Sequence, residues 1–262
     1  MTEETPLDAA KTALDAAGDD DTLRLRFYER LADAELFLML ASEPAGEHIE
    51  PRVFTVQGGD YVLVFDREER MVDFAGEITP YAAMSGRAVA SMLAGQGVGL
   101  ALNPEVAPSS TLIPAAAVDW LAGVLAEQPD QQEEVPEELS PPLDMPEILL
   151  QALDAKLATA AGLARTAYLA AVRYRSGRQG NLLVFIGVAP QAHEALSQAV
   201  REALVFSGVE AGELDVVFLQ PDDPTVEVLE RVGLRVDLPQ PEPAGASPAA
   251  PGSDPDAPPR LR

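Results

Sequence analysis

Two strings in this chain carry side chains whose types and spacing could do chemistry. The first is "MSGRAV", where Ser85, Gly86 and Arg87 precede an apolar stripe of helical spacing. A hydroxyl, backbone N–H groups and a guanidinium at a helix start can receive a carboxylate or a phosphate. Arg87 in a first helical turn also opposes the helix dipole, at a cost of roughly a few tenths of a kcal/mol. The same guanidinium can instead pair with one of the many acids nearby. The second string is "RYRSGRQG", with Arg173, Arg175 and Arg178 in close succession. On a strand Arg173 and Arg175 share a face. This interaction patch can dock an acidic partner or the chain's own acidic segment, or it forms a solvated hairpin tip.

Other strings resemble sites and lose that reading on inspection. "LAGQGVGLALNPE" alternates Gly95, Gly97 and Gly99 like a phosphate loop. A dinucleotide fingerprint runs strand, glycine turn, helix, whereas here a helix ends and a strand begins. Gly95 then reads as a helix C-terminal glycine and Gly99 as a point of close backbone approach. Asp222 and Asp223 in "QPDDP" follow a strand, where metal ligands often sit, but Asp223 with Pro224 also suits a helix start. "HEALS" at His193 lacks the second histidine of a zincin, and His48 reads as a loop residue. No Gly-x-Ser-x-Gly elbow occurs. The pair Glu133–Glu134 lacks the apolar pocket that a general acid needs. Trp120 in "AAAVDWLAGVL" reads as core or interface packing. No catalytic residue, metal-ligand set or cofactor site is therefore expected.

The composition narrows the function classes. Forty-three acids against 18 bases leave a net charge of −25. That field repels nucleic acid and anionic membrane, so neither is an expected partner; basic proteins are favoured. Only Lys11 and Lys156 are lysines; the other 16 cations are arginines. There is no cysteine, which excludes thiolate nucleophiles and Cys-ligated zinc. "MTEETPLDAAK" is acidic and lacks the apolar segment of a secretory signal, and no apolar run spans a bilayer, so a cytoplasmic location is expected.

Composition shifts divide the chain. Residues 127–145 are acidic and proline-rich without a base, so an extended linker is expected there. Residues 239–262 hold eight prolines and one large aliphatic residue, Leu261, so disorder is expected. Between these lie two α+β domains, 1–126 and 146–238. In the first, helices are expected around Leu7 to Leu14, from Thr22 to Ala32 with Asp21 as N-cap, over "REERMVDFA", after Ser85, and from Pro114 to Ala126. Strands are expected at "ELFLMLA", in a "RVFTV"/"YVLVFD" hairpin and at "VGLALNP". The second domain reads as a helix opened by Pro146, a hairpin "TAYLAAVRYR"/"NLLVFIGVA", a helix over "PQAHEALSQAVREALVFSG", a strand "ELDVVFL", a short helix and an edge strand "LRVDL". Each half is expected to layer a mixed sheet with helices.

The order of "FYERLADAELFLML", "RVFTVQGGDYVLVFDREER", "YAAMSGRAV" and "GVGLALNPE" resembles the N-terminal domain of the SseB-like family (enhanced serine sensitivity protein B). "AYLAAV", "LLVFIGV" and "ELDVVFL" followed by "DDP" are similar to that family's C-terminal domain. The resemblance spans about residues 22–235 and implies fold more than chemistry, because the family carries no established catalytic residues. A rhodanese-type sulfur transfer, sometimes attached to similar names, needs a cysteine that this chain lacks. The expectation is a non-enzymatic adaptor or regulatory module acting by protein interaction. The alternative is a binder of, or enzyme acting on, a small anion near Ser85–Arg87.

Overall fold

A computed structural model describes residues 4–18, 20–44, 49–56, 58–129, 134–160, 162–164, 166–208 and 214–238. His48, Glu133 and the tail 239–262 lie outside the described residues. The chain is an α+β protein that divides into two compact units. The first comprises Met1–Glu133, Met145–Lys156 and Ser197–Ala211; the second comprises Glu134–Asp144, Leu157–Leu196 and Gly212–Arg262. The first unit thus takes in two pieces from beyond residue 133.

The first unit begins with two helices, α1 (Pro6–Ala17) and α2 (Asp21–Asp33). Thr5 and Asp8 form a reciprocal capping box on α1. The N-cap of α2 is Asp20, whose side chain accepts from the Leu23 N–H at 3.0 Å. Asp21, expected as the cap, is already the first helical residue. Strands β1 (Glu35–Met39), β2 (Val53–Val56) and β3 (Gly59–Phe65) follow, with β2 and β3 antiparallel as the hairpin pattern predicts. Then come α3 (Glu68–Ala75), β4 (Tyr81–Ser85), α4 (Gly86–Leu93), β5 (Val98–Leu102), β6 (Thr111–Ile113) and α5 (Ala115–Ala126). The sheet runs β4-β1-β3-β5-β6, with β2 also on β3. The pair β3–β5 is parallel; the others are antiparallel.

Period-two alternation sorts the side chains between two faces. Leu36, Leu38, Val62, Val64, Leu100 and Leu102 meet Phe27, Leu31, Val89 and Leu121 of the helices. On the other face Met39, Leu63, Phe65 and Ala101 lie with Met71 of α3. The glycine string reads in the structure as its flanks suggest. Gly95 and Gly97 adopt φ of 73° and 71°, closing α4. A Cβ on Gly99 would lie 2.4 Å from the Ile113 carbonyl oxygen and 2.7 Å from the Tyr61 ring.

Part of the segment expected to be a linker is a strand, β7 (Pro136–Ser140), in the second unit. After α6 (Glu147–Thr159), β8 (Thr166–Tyr174) and β9 (Gln179–Ile186) form the expected hairpin. One 3-10 turn, Pro190–Ala192, leads into α7 (His193–Ser207), then β10 (Leu214–Leu219), α8 (Thr225–Val232) and β11 (Leu234–Asp237). The second sheet runs β10-β9-β8-β11, with β7 on β8. Its central strand β8 is buried on both faces, hence its nearly continuous apolar run. Leu229 of α8 packs among Tyr168, Ala170, Val172 and Val184.

Candidate functional site

The string "MSGRAV" forms the junction of β4 and α4, and each of its three candidate groups has a partner in the chain. Ser85 is the N-cap, its Oγ accepting from the Ala88 N–H at 3.3 Å. The Gly86 N–H donates to the Ala34 carbonyl at 2.8 Å. Arg87 grips Glu202 of α7 in a two-pronged pair, Nη1–Oε1 at 3.0 Å and Nη2–Oε2 at 3.1 Å. Its Nη2 also meets Asp33 Oδ1 at 3.0 Å. Two carboxylates thus offset the unfavourable placement of a cation at a helix N-terminus.

Behind Arg87 the acids continue to Lys156 of α6. Its ammonium lies 2.6 Å from Asp33 Oδ2, 3.0 Å from Glu202 Oε2 and 3.9 Å from Glu29 Oε1. All these segments belong to the first unit. Burial pushes the Glu202 carboxyl up, but hydrogen bonds from Arg87 and the nearby Lys156 charge outweigh this and hold it below its usual range. Glu29 goes the other way. Burial raises it, the Lys156 charge offsets only part, and its Oε1 accepts no hydrogen bond. An incoming anion would have to displace Glu202, itself 2 % exposed, and leave that carboxylate without its guanidinium.

The raised Glu29 pKa has a measurable consequence. The folded state binds this proton more tightly than the unfolded chain does. Glu29 therefore favours folding most below its ordinary value, and stability is lost as pH rises through the folded-state pKa. Glu29→Gln is expected to melt higher than the parent at pH 7 and to converge with it near about pH 4. Calorimetric melting at the two pH values checks this, and a lower melting temperature at pH 7 would show that attraction to Lys156 dominates.

A second polar cluster is more deeply buried. Asp66 and Asn103 follow the C-terminal ends of the parallel strands β3 and β5. Arg70 of α3 bridges Asp8 and Asp66, Nη2 to Asp8 Oδ2 at 2.5 Å and Nη1 to Asp66 Oδ1 at 2.8 Å. Ser109 Oγ donates to Asp8 Oδ1 at 2.6 Å, and Thr5 Oγ1 to Asp66 Oδ2 at 2.6 Å. Asn103, at φ 43°, donates from Nδ2 to both Asp66 and Ser109 at 2.8 Å. Burial alone would raise the Asp8 carboxyl; bonds from Arg70, Ser109 and Thr5 reverse that and hold it far below the ordinary range. Open α/β sheets bind ligands at such strand ends. Here Asp8, Arg70, Asn103 and Ser109 are all buried, and the chain's own side chains fill the position.

Residues 7–120 match the family model described as the SseB protein N-terminal domain. This segment of the chain is similar to the SseB N-terminal domain. No curated protein and no solved structure matches the chain. Asp8, Asp66, Arg70, Asn103 and Ser109 all lie inside this SseB-like domain. The Arg87 cluster does not. Glu29, Asp33 and Arg87 belong to the domain, whereas Lys156 and Glu202 come from beyond it.

Outside the SseB-like domain, the arginine string holds the chain's own acidic segment. Arg173 pairs with Glu137, and with Glu138 at 2.8 Å. Arg178 bonds Glu134 at 2.6 Å and Asp215 at 2.8 Å, and lies over the Tyr174 ring at 4.3 Å. Arg175 is exposed, and its backbone N–H donates to Val135. These pairs offset the like-charge repulsion that made the segment read as a linker, and β7 docks on β8 with a bulge between Pro136 and Glu138. An acidic partner here would compete with three glutamates already in place.

The remaining candidates have structural partners. Asp223 accepts from the Thr225 N–H at 2.8 Å at the start of α8. His193 is half-buried and stacks on Phe218 at 3.9 Å. Among the described residues no group of three or more His, Asp or Glu could hold a metal ion. Trp120 of the SseB-like domain differs. It is 39 % exposed, sits edge-on to Tyr28 at 5.3 Å, and helps line an open groove of about 340 Å³ with Arg24, Leu25, Tyr28 and Ala117.

Proposed function

We propose that this protein acts in the cytoplasm by binding other proteins, as an adaptor or regulatory module and not as an enzyme. The observation that carries this reading is the groove between α2 and α5, walled by Tyr28 and Trp120 with Arg24 at its rim. Tryptophan, tyrosine and arginine dominate the binding energy of protein interfaces, because each combines large apolar area with a polar handle. Ser85, Arg87, Arg173, Arg178 and Asp223 are each engaged with neighbours from the same chain. The net charge of −25 favours a basic partner and steers its approach. We read the region after the linker as similar to the SseB C-terminal domain.

Affinity purification followed by mass spectrometry, with parent protein and Trp120→Ala side by side, tests the reading. The variant is expected to lose the parent's partners, with affinity down tenfold or more (about 2 kcal/mol for an interface anchor). Its melting temperature should fall as well, because the ring packs edge-on to Tyr28 and Phe206. The capture is therefore run at a temperature where the variant's far-UV circular dichroism is that of the folded parent. An unchanged set of captured proteins would reject the groove as the binding surface.

A further inference from the structure

The first sheet ends on β4, and the register of β4 on β1 determines where its backbone groups point. The Leu40 N–H donates to the Pro80 carbonyl at 2.9 Å, and the Gly86 N–H to the Ala34 carbonyl at 2.8 Å. Between these ends Leu36 faces Met84 and Leu38 faces Ala82. Bonded and non-bonded pairs alternate along an antiparallel ladder. The even-numbered residues of β4 therefore bond to β1. Tyr81 and Ala83, opposite Met39 and Phe37, turn their N–H and C=O groups outward. Among the described residues no strand pairs with that rim, and Ala83 is exposed.

Natural sheets blunt their edges with charge, proline, bulges or very short strands. At the opposite end of this sheet, β6 has three residues. In the second sheet β7 carries Glu137, Glu138 and a bulge, and β11 carries Arg235 and Asp237. By contrast β4 is five residues, Tyr-Ala-Ala-Met-Ser, with no charge, proline or register shift. Its surroundings are acidic. Glu35 is exposed opposite Ser85, Glu77 is exposed just before the strand, and Glu68 sits against the Tyr81 hydroxyl. Arg87, just beyond the strand, is already bound to Glu202 and Asp33.

We propose that the outer edge of β4 accepts an extended, arginine- or lysine-rich segment of a partner protein as an added strand. The inference rests on the protein-binding reading above and names a surface and a partner chemistry for it. Tyr81 and Ala83 supply two backbone donors and two acceptors, and the small Ala83 side chain leaves room for close approach. Side chains of an added strand alternate between the two faces, so every second residue lies on the face of Glu35 and Glu68. Successive basic residues there lie on the face that carries these carboxylates.

The probe is a fluorescein-labelled peptide of four Arg-Val repeats, titrated by anisotropy onto the full chain. The parent is expected to bind it saturably. Ala83→Pro removes an outward N–H that makes no ladder bond, a place where edge strands tolerate proline. It should weaken binding tenfold or more while the melting temperature holds. As a control that leaves the protein untouched, the peptide is N-methylated on its arginine amides or on its valine amides. One set should abolish binding and the other leave it, because an added strand bonds through one edge only. No binding by the parent, equal binding by Ala83→Pro, or equal effects of both methylations would each overturn the proposal. Such a failure with partner capture still lost in Trp120→Ala rejects the edge alone. If Trp120→Ala also captures the parent's partners unchanged, the protein-binding reading loses its support as well.

Discussion

Replacing Arg70 with methionine lowers the unfolding free energy by about 3–5 kcal/mol, the usual cost of removing one partner of a buried ion pair. Methionine keeps an apolar stem in place of the arginine's methylenes and lacks only the guanidinium end, so the variant chiefly removes the charge. What remains is two carboxylates, Asp8 and Asp66, with no cation between them. Asp8 is 1 % exposed, and with Arg70 it loses hydrogen bonds at both of its oxygens. Ser109 and Thr5 can still donate, but neutral donors do not replace a guanidinium. The pH dependence identifies the cause. The folded-state pKa of Asp8 is depressed, so its contribution is complete above the unfolded value and is lost as pH falls toward the folded one. The gap between parent and variant should therefore narrow below about pH 4. Urea unfolding at pH 7 and pH 3 measures both. A loss below about 1 kcal/mol at pH 7 would place this cluster with weak surface pairs.

Gly86→Ala is expected to cost about 3 kcal/mol or more, at the upper end for overpacking a core position. A Cβ there would lie 1.8 Å from the Leu31 carbonyl oxygen and 2.8 Å from its carbon. Both atoms are backbone of α2, so no side chain can rotate away and the two helices must separate. Separation also strains the Gly86 N–H bond to Ala34 and moves Arg87 relative to Asp33. Denaturant melts of the variant test this directly; a midpoint within error of the parent would mean that α4 shifts at almost no cost. Gly86 stands out in the sequence as a residue of a possible anion cradle. In the structure it is the point at which α4 approaches α2 closely enough to build the Arg87 cluster.

Much of the fold was legible because local patterns carry local physics. The stripe of α7, the β2–β3 hairpin and the Ser85 cap follow from spacing and turn chemistry within a dozen residues. The glycines after α4 were legible for the same reason: their flanks run helix then strand, and φ angles of 73° and 71° obey that order. Strands β4 and β6 were missed. "YAAMS" has little β-branching, and three residues at "TLI" are too few to show a period. Both exist because a neighbouring strand pairs with them.

The candidate sites divide the same way. Thr5 and Asp8 carry a capping-box signature, and Asp66 and Arg70 stand four apart, yet nothing local joins them to Asn103 and Ser109. Lys156 left a hint, being one of two lysines among 18 cations. Its three carboxylate partners are 46 to 127 positions away. By itself the sequence determined the α+β class, the SseB likeness of the first half, the charge of the surface and the absence of a thiol. Those properties are set by composition and by neighbours along the chain. Which acid meets which base across distant segments was decided by tertiary structure. Forty-three acids offer 18 cations far too many distant pairings, and burial, which makes an unpaired charge costly, selects those at Lys156 and Arg70.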